Sequence, residues 1–148
     1  MRSFSAFVAC FATFVALLCP GVAFAGPQAK ALETLNEIRQ SYGLPALRGS
    51  ANLERSARRY AGRMLRGGYF GHAARIAVAA RFRSAGETLA WHSGGRAQPR
   101  RTIRSWMNSP THRALLLSPH FRWVGLGMKR GRLGGRRVTV WVGHLGRM

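Results

Sequence analysis

From Trp123 onward the residues alternate. Val124, Leu126 and Met128 fall on one side of an extended chain through residue 129, and Val138, Val140 and Val142 repeat the pattern after a Gly/Arg-rich turn at 130–136. Successive side chains of a strand point to opposite faces, so two such runs around Gly134-Gly135 make an antiparallel hairpin. A hairpin alone is marginal in water, and its apolar face has to be covered by something else. The rest of the chain must supply that cover, and it reads as helices.

Residues 30–42 place Leu32, Leu35 and Ile38 on one helical face and stop at Gly43, where Gly43-Leu44-Pro45 turns the chain. Ser50 is a suitable N-cap for a second helix over 51–66, ended by Gly67-Gly68. There Leu53, Ala57, Tyr60, Ala61, Met64 and Leu65 follow the helical period, and Arg55, Arg58, Arg59, Arg63 and Arg66 fall on the opposite side. That stripe is a solvated face in the simplest reading and an anion-binding face in the functional one. Residues 69–72 read as extended and 73–82 as helical in character, while 86–92 is too short and mixed to assign. Pro99 suits the first turn of a helix to 107. Ser109-Pro110 restarts a short one over 111–117, which Ser118-Pro119 stops. Helices first and a hairpin last make an α+β domain.

The chain has 148 residues, enough for one domain, and at 47% hydrophobic residues it can build a core. Arg2, an apolar run from Phe4 to Leu18 and the Ala23-Phe24-Ala25 pattern are the signature of a secretory signal peptide. The expected organisation is a leader over 1–25 and a domain over 26–148, secreted or periplasmic. An uncleaved anchor fits less well, because the run is short for a span and Pro20-Gly21 breaks it. Both cysteines, Cys10 and Cys19, fall in the leader, so the domain has neither a disulfide framework nor a cysteine metal site.

Charge is the other constraint. Twenty-four Lys+Arg face 4 Asp+Glu, a formal net charge of +20, or +19 once Arg2 leaves with the leader. Such a field attracts phosphates, anionic headgroups and acidic cell-wall polymers without naming one. Four acids also exclude chemistry that needs several convergent carboxylates. Glu33 and Glu37 flank the apolar stripe of the first helix, and Glu54 lies in the first turn of the second, where the helix dipole favours it. Glu87, in Gly86-Glu87-Thr88-Leu89-Ala90, lacks such an explanation and reads equally as a structural ion pair or as a pocket residue. Of the histidines, His72 ends an aromatic-glycine segment and His112 opens a Ser-Pro-started helix. None lies in a local metal-binding spacing, and His92, His120 and His144 carry no stronger case.

In order, these pieces resemble the CAP superfamily (cysteine-rich secretory proteins, antigen 5, pathogenesis-related 1), in its bacterial SCP-type branch. The stretches that carry the resemblance begin with Asn36-Glu37-Ile38-Arg39, Gly43-Leu44-Pro45-Ala46-Leu47 and 53–64. They continue through Gly68-Tyr69-Phe70-Gly71-His72, Gly86-Glu87-Thr88-Leu89-Ala90, Trp106-Met107-Asn108-Ser109-Pro110-Thr111-His112-Arg113 and Phe121-Arg122-Trp123-Val124-Gly125-Leu126-Gly127. The resemblance implies an α-β-α sandwich, a small antiparallel sheet with helices on both sides. It also implies a cleft of two histidines and two acids that holds zinc or another divalent metal in several relatives. Matched by motif, His72, Glu87 and His112 take three of those positions. The second acid has no counterpart, because residues 107–111 contain no Asp or Glu, and Gly143 stands where relatives often carry a polar amide.

Two imidazoles and a carboxylate make a three-ligand zinc set with an open position for water. Alternatively, Glu87 orients a histidine from behind and leaves two ligands and weak binding. The +19 charge opposes cation binding in either case. The leading expectation is a non-catalytic binding module, with a His/Glu-lined cleft for a small ligand and basic faces for anionic envelope components or a membrane surface. The alternative is a metal- or base-assisted extracytoplasmic hydrolase using His72, His112 and Glu87. No nucleophile elbow is visible, and no nucleic-acid reading motif accompanies the charge.

Overall fold

The computed structural model describes residues 24–148; nearly all of the expected leader, and both cysteines, lie outside them. Helix α1 (Gly26–Ser41) starts a turn before the expected position because Pro27 fits a first turn, where its missing N–H costs nothing. Strand β1 (Arg48–Gly49) leads into α2 (Ala51–Gly67), followed by β2 (Ser84–Ser93), α3 (Pro99–Met107), α4 (Pro110–Leu116), β3 (Trp123–Leu133) and β4 (Arg136–Arg147). The sheet order is β1-β3-β4-β2, with β1 parallel to β3 and the other pairs antiparallel. The expected hairpin is longer than its apolar runs. Its loop narrows to Gly134-Gly135, both at positive φ, the geometry that matches the twist of the two strands.

Alternation along β4 divides the core. Val138, Val140 and Val142 pack with Ala57, Tyr60, Ala61 and Met64 of α2 on one face. On the other, Trp141 and Leu145 pack with Ala31 and Leu35 of α1, Ile103 and Trp106 of α3, and Leu116 of α4. The result is an α-β-α sandwich. Gly125 and Gly127 of β3 let α2 lie directly on the sheet: a Cβ on either would collide with the helix backbone, at Leu53 and Glu54 or at Ala57 and Arg58.

Two expectations are corrected. Residues 73–82 form no helix, because neighbours claim their main chain: the Ser56 hydroxyl donates to the Ala77 carbonyl (2.6 Å), and the Ala73 N–H donates to Glu87 (2.9 Å). Ser50 does precede α2 in an extended conformation, but its side chain makes no capping bond and its Oγ is buried without a partner.

Arg39 is fully buried, one helical turn beyond Leu35 on the inner face of α1. Its guanidinium donates to the carbonyls of Pro45 (2.9 Å), Leu116 (2.5 Å) and Ser118 (3.2 Å), tying the end of α4 to α1. A cation suits the carbonyl end of a helix. Burial, then Arg122, lower its pKa.

The close approach of α2 predicts that Gly127→Ala lowers stability by about 3 kcal/mol through overpacking. Gly71, whose Cβ would meet nothing within 4 Å, serves as the control. Gly71→Ala stays within about 0.5 kcal/mol. Urea unfolding of both variants checks this.

Candidate functional site

Glu87 and His144 face each other across β2 and β4, on the side that α2 covers. Both are almost wholly buried, and His144 Nε2 lies 3.0 Å from Glu87 Oε2. The other nitrogen of His144, Nδ1, is 3.0 Å from Ser56 Oγ. The Ser56 hydroxyl itself donates to the Ala77 carbonyl. His144 thus bridges Ser56 of α2 and Glu87 of β2.

The second oxygen of Glu87 organises the loop after α2. Gly68, at φ 66, ends that helix, and Tyr69 N–H returns to the Met64 carbonyl. The Tyr60 hydroxyl then holds the Gly71 carbonyl (2.6 Å), while Glu87 Oε1 accepts from Ala73 N–H (2.9 Å). His72 lies between these two anchored peptides, its Nδ1 2.9 Å from the same Oε1. With Nδ1–H donating to the carboxylate, Nε2 carries the lone pair and is the nitrogen left for other partners. The His72 side chain is 58% exposed, so that lone pair is within reach of a ligand. His112 enters from the first turn of α4, its ring centroid 5.7 Å from that of His72 and tilted by 52°.

Burial pushes the Glu87 carboxyl upward, but donation from His144, from Ala73 N–H and from His72 outweighs it and holds the group below its ordinary 4.5. Burial, with Glu87 and Tyr69 adding to it, pushes the Tyr60 phenol up to about 12, so it remains a donor to Gly71. His112 is lowered from 6.5 by burial and by His72, against the opposing pull of Glu87. His92 is buried in β2 beside Thr102 of α3 (2.9 Å). Burial and Arg101 lower it too.

Among the described residues no three His, Cys, Asp or Glu side chains are grouped to hold a metal ion. Glu87 already serves His144, His72 and Ala73 through its two oxygens. The donor chemistry fits two imidazoles, His72 through Nε2 and His112, with Glu87 orienting His72 from behind. The remaining acids are elsewhere: Glu33 pairs with Lys30 (2.7 Å), and Glu37 and Glu54 lie on α1 and α2.

His144 and Ser56 are the site residues that the sequence reading missed. A signal for His144 was present: Val138, Val140 and Val142 continue in register to residue 144, which places a histidine on a buried face. Ser56, among apolar neighbours on the inner side of α2, is the matching polar group.

The family model for the cysteine-rich secretory protein family, CAP, matches residues 32–145. The uncharacterized protein YkwD of Bacillus subtilis (strain 168) is 31% identical over 107 residues, 66% of this chain and 40% of that protein, so the chain spans less than half of this relative. Among solved structures, an outer surface protein of Borrelia burgdorferi matches with a TM-score of 0.66 at 21% identity, over 82% of this chain and 92% of that one. An extracellular protein containing an SCP domain from Bacillus anthracis matches at 0.63 and 21%, over 80% and 39% of the two chains. Venom allergen-like protein 4 of Schistosoma mansoni gives 0.64 at 13%, over 84% and 92%. At these identities the structural likeness establishes the fold.

The shifted groups set a pH dependence of one sign. Glu87 is depressed below 4.5, so its contribution to stability is present above that value and lost as pH falls through its folded pKa. His112 and His92 are depressed below 6.5, so folding favours their neutral forms, and stability is lost as pH falls from 6.5 through their folded values. Urea midpoints should therefore decline from about pH 7 to about pH 4, with His92→Gln and His112→Gln flattening the upper part of the decline. A flat or rising profile would contradict the assignment.

Proposed function

Because the chain belongs to the CAP family of cysteine-rich secretory proteins, we propose that it is an exported binding module of that family. Its His72/His112 cleft meets a small ligand or a loosely held divalent metal, and its basic faces meet anionic envelope components. The observation that carries this reading is the occupation of Glu87. Both oxygens are engaged by donors, which supports a positioning role for the only acid at the site over water activation or a third metal bond. A divalent metal would be held by His72 Nε2 and His112 alone, and its chemistry would be that of a weakly bound Lewis acid. The positive charge keeps such binding weak.

Export is supported by the charged, apolar and Ala-x-Ala order of the first 25 residues. The Borrelia and Bacillus anthracis neighbours, described as outer-surface and extracellular proteins, point the same way. Charge supports the second half of the proposal: 24 basic residues face 4 acids, and two of those acids are already paired.

Two measurements test this. Retention on an acidic polymer should fall steeply as salt rises, with the log of the affinity linear in the log of salt concentration, because counterion release drives the binding. Retention indifferent to salt would count against the basic faces. Zinc calorimetry should give weak binding that disappears in the His72→Ala/His112→Ala double variant, with no turnover of ester, peptide or envelope substrates. Metal-dependent turnover would favour the hydrolase reading instead.

A further inference from the structure

The fold turns one flank of the α2 arginine stripe into a concavity. Arg59, Arg63 and Arg66 of α2 and Arg75 of the segment before β2 line a cavity of about 240 Å³ whose inner wall includes Ser56 and His144. All four guanidinium-bearing residues are exposed, and among the described residues none forms an ion pair. The wall offers them no counter-charge: Ser56 is committed to Ala77 and His144, and His144 to Ser56 and Glu87. Arg63 is held 4.7 Å above the Tyr60 ring, which limits the freedom it would lose on binding.

From this arrangement we propose that the Arg59/Arg63/Arg66/Arg75 cavity binds a phosphomonoester, a site separate from the His72/His112 cleft; the proposal rests on the reading that the basic faces engage anionic partners. Each guanidinium presents a planar fork of donors that fits two phosphate oxygens, and a phosphomonoester brings close to two negative charges and three outward oxygens to share among several forks. A carboxylate brings one charge and two oxygens. The cavity is smaller than the roughly 300–1,000 Å³ pockets that enclose drug-sized molecules, so it fits a tetrahedral headgroup and not an acyl chain. The group is recognised by the same chemistry whether it is free or displayed on a lipid.

The test compares two charge-matched double variants of the full protein. Arg63→Gln/Arg75→Gln alters residues that line this cavity, and Arg55→Gln/Arg58→Gln removes as much charge from the stripe outside it. By calorimetry, the first should weaken inorganic phosphate binding by about tenfold or more, the loss of one or two charge-assisted hydrogen bonds. The second should weaken it by less than about threefold, the loss of a screened surface field. Vesicles of phosphatidylcholine carrying phosphatidic acid, against vesicles of matched charge carrying phosphatidylglycerol, separate the sources. A preference for the monoester lipid that only the cavity variant loses assigns the site to a headgroup. Phosphate binding without that preference assigns it to free phosphate esters. Equal losses in both variants would overturn the cavity and leave the basic-face reading standing. Failure of the wild type to bind any anion would overturn both. Circular dichroism confirms folding, and Arg75→Gln alone, in an exposed loop, serves if the double variant does not fold.

Discussion

Burying the Glu87 carboxylate takes it out of water, and an ionised oxygen left without donors would cost several kcal/mol. Three donors meet that demand, and each fixes a different part of the molecule. His144 Nε2 joins β2 to β4 through the carboxylate and, through Ser56, joins the sheet to α2. Ala73 N–H stops the chain after α2 from continuing freely, and His72 Nδ1 is aimed inward so that its other nitrogen faces out. The segment from 69 to 83 owes its path to these bonds and to the Tyr60–Gly71 bond more than to any propensity of its own.

The same economy bears on function. In a domain with four acids, the oxygens of Glu87 serve the architecture. What remains at the surface is a pair of imidazoles, set by elements from opposite sides of the sandwich. His72 is held by the loop from α2, and His112 by α4, which Arg39 secures to α1 through main-chain carbonyls. The arginines supply long-range attraction, and the fold gathers four of them around one concavity.

Much of this was legible in the sequence, for identifiable reasons. The alternation after Trp123, the Ser-Pro start of α4 and the apolar face of α2 are local signals, and the elements form where those signals lie. Strand β2 was not legible because residues 86–90 are buried on both faces and show no alternation. The apparent helix over 73–82 failed because side chains distant in sequence claim its backbone groups, which no local pattern records. Motif resemblance singled out His72, Glu87 and His112 but not the bonding order among them. That order depends on the β2–β4 register, which pairs Glu87 with His144.

The central claim is that Glu87 is an acceptor held between His144 and His72. A long-range proton–nitrogen correlation spectrum of the histidine rings at neutral pH tests it directly. The account predicts His72 as the Nδ1–H form with an unprotonated Nε2, and a proton on His144 Nε2. A His72 protonated at Nε2 and bare at Nδ1, or a His144 bare at Nε2, would contradict it.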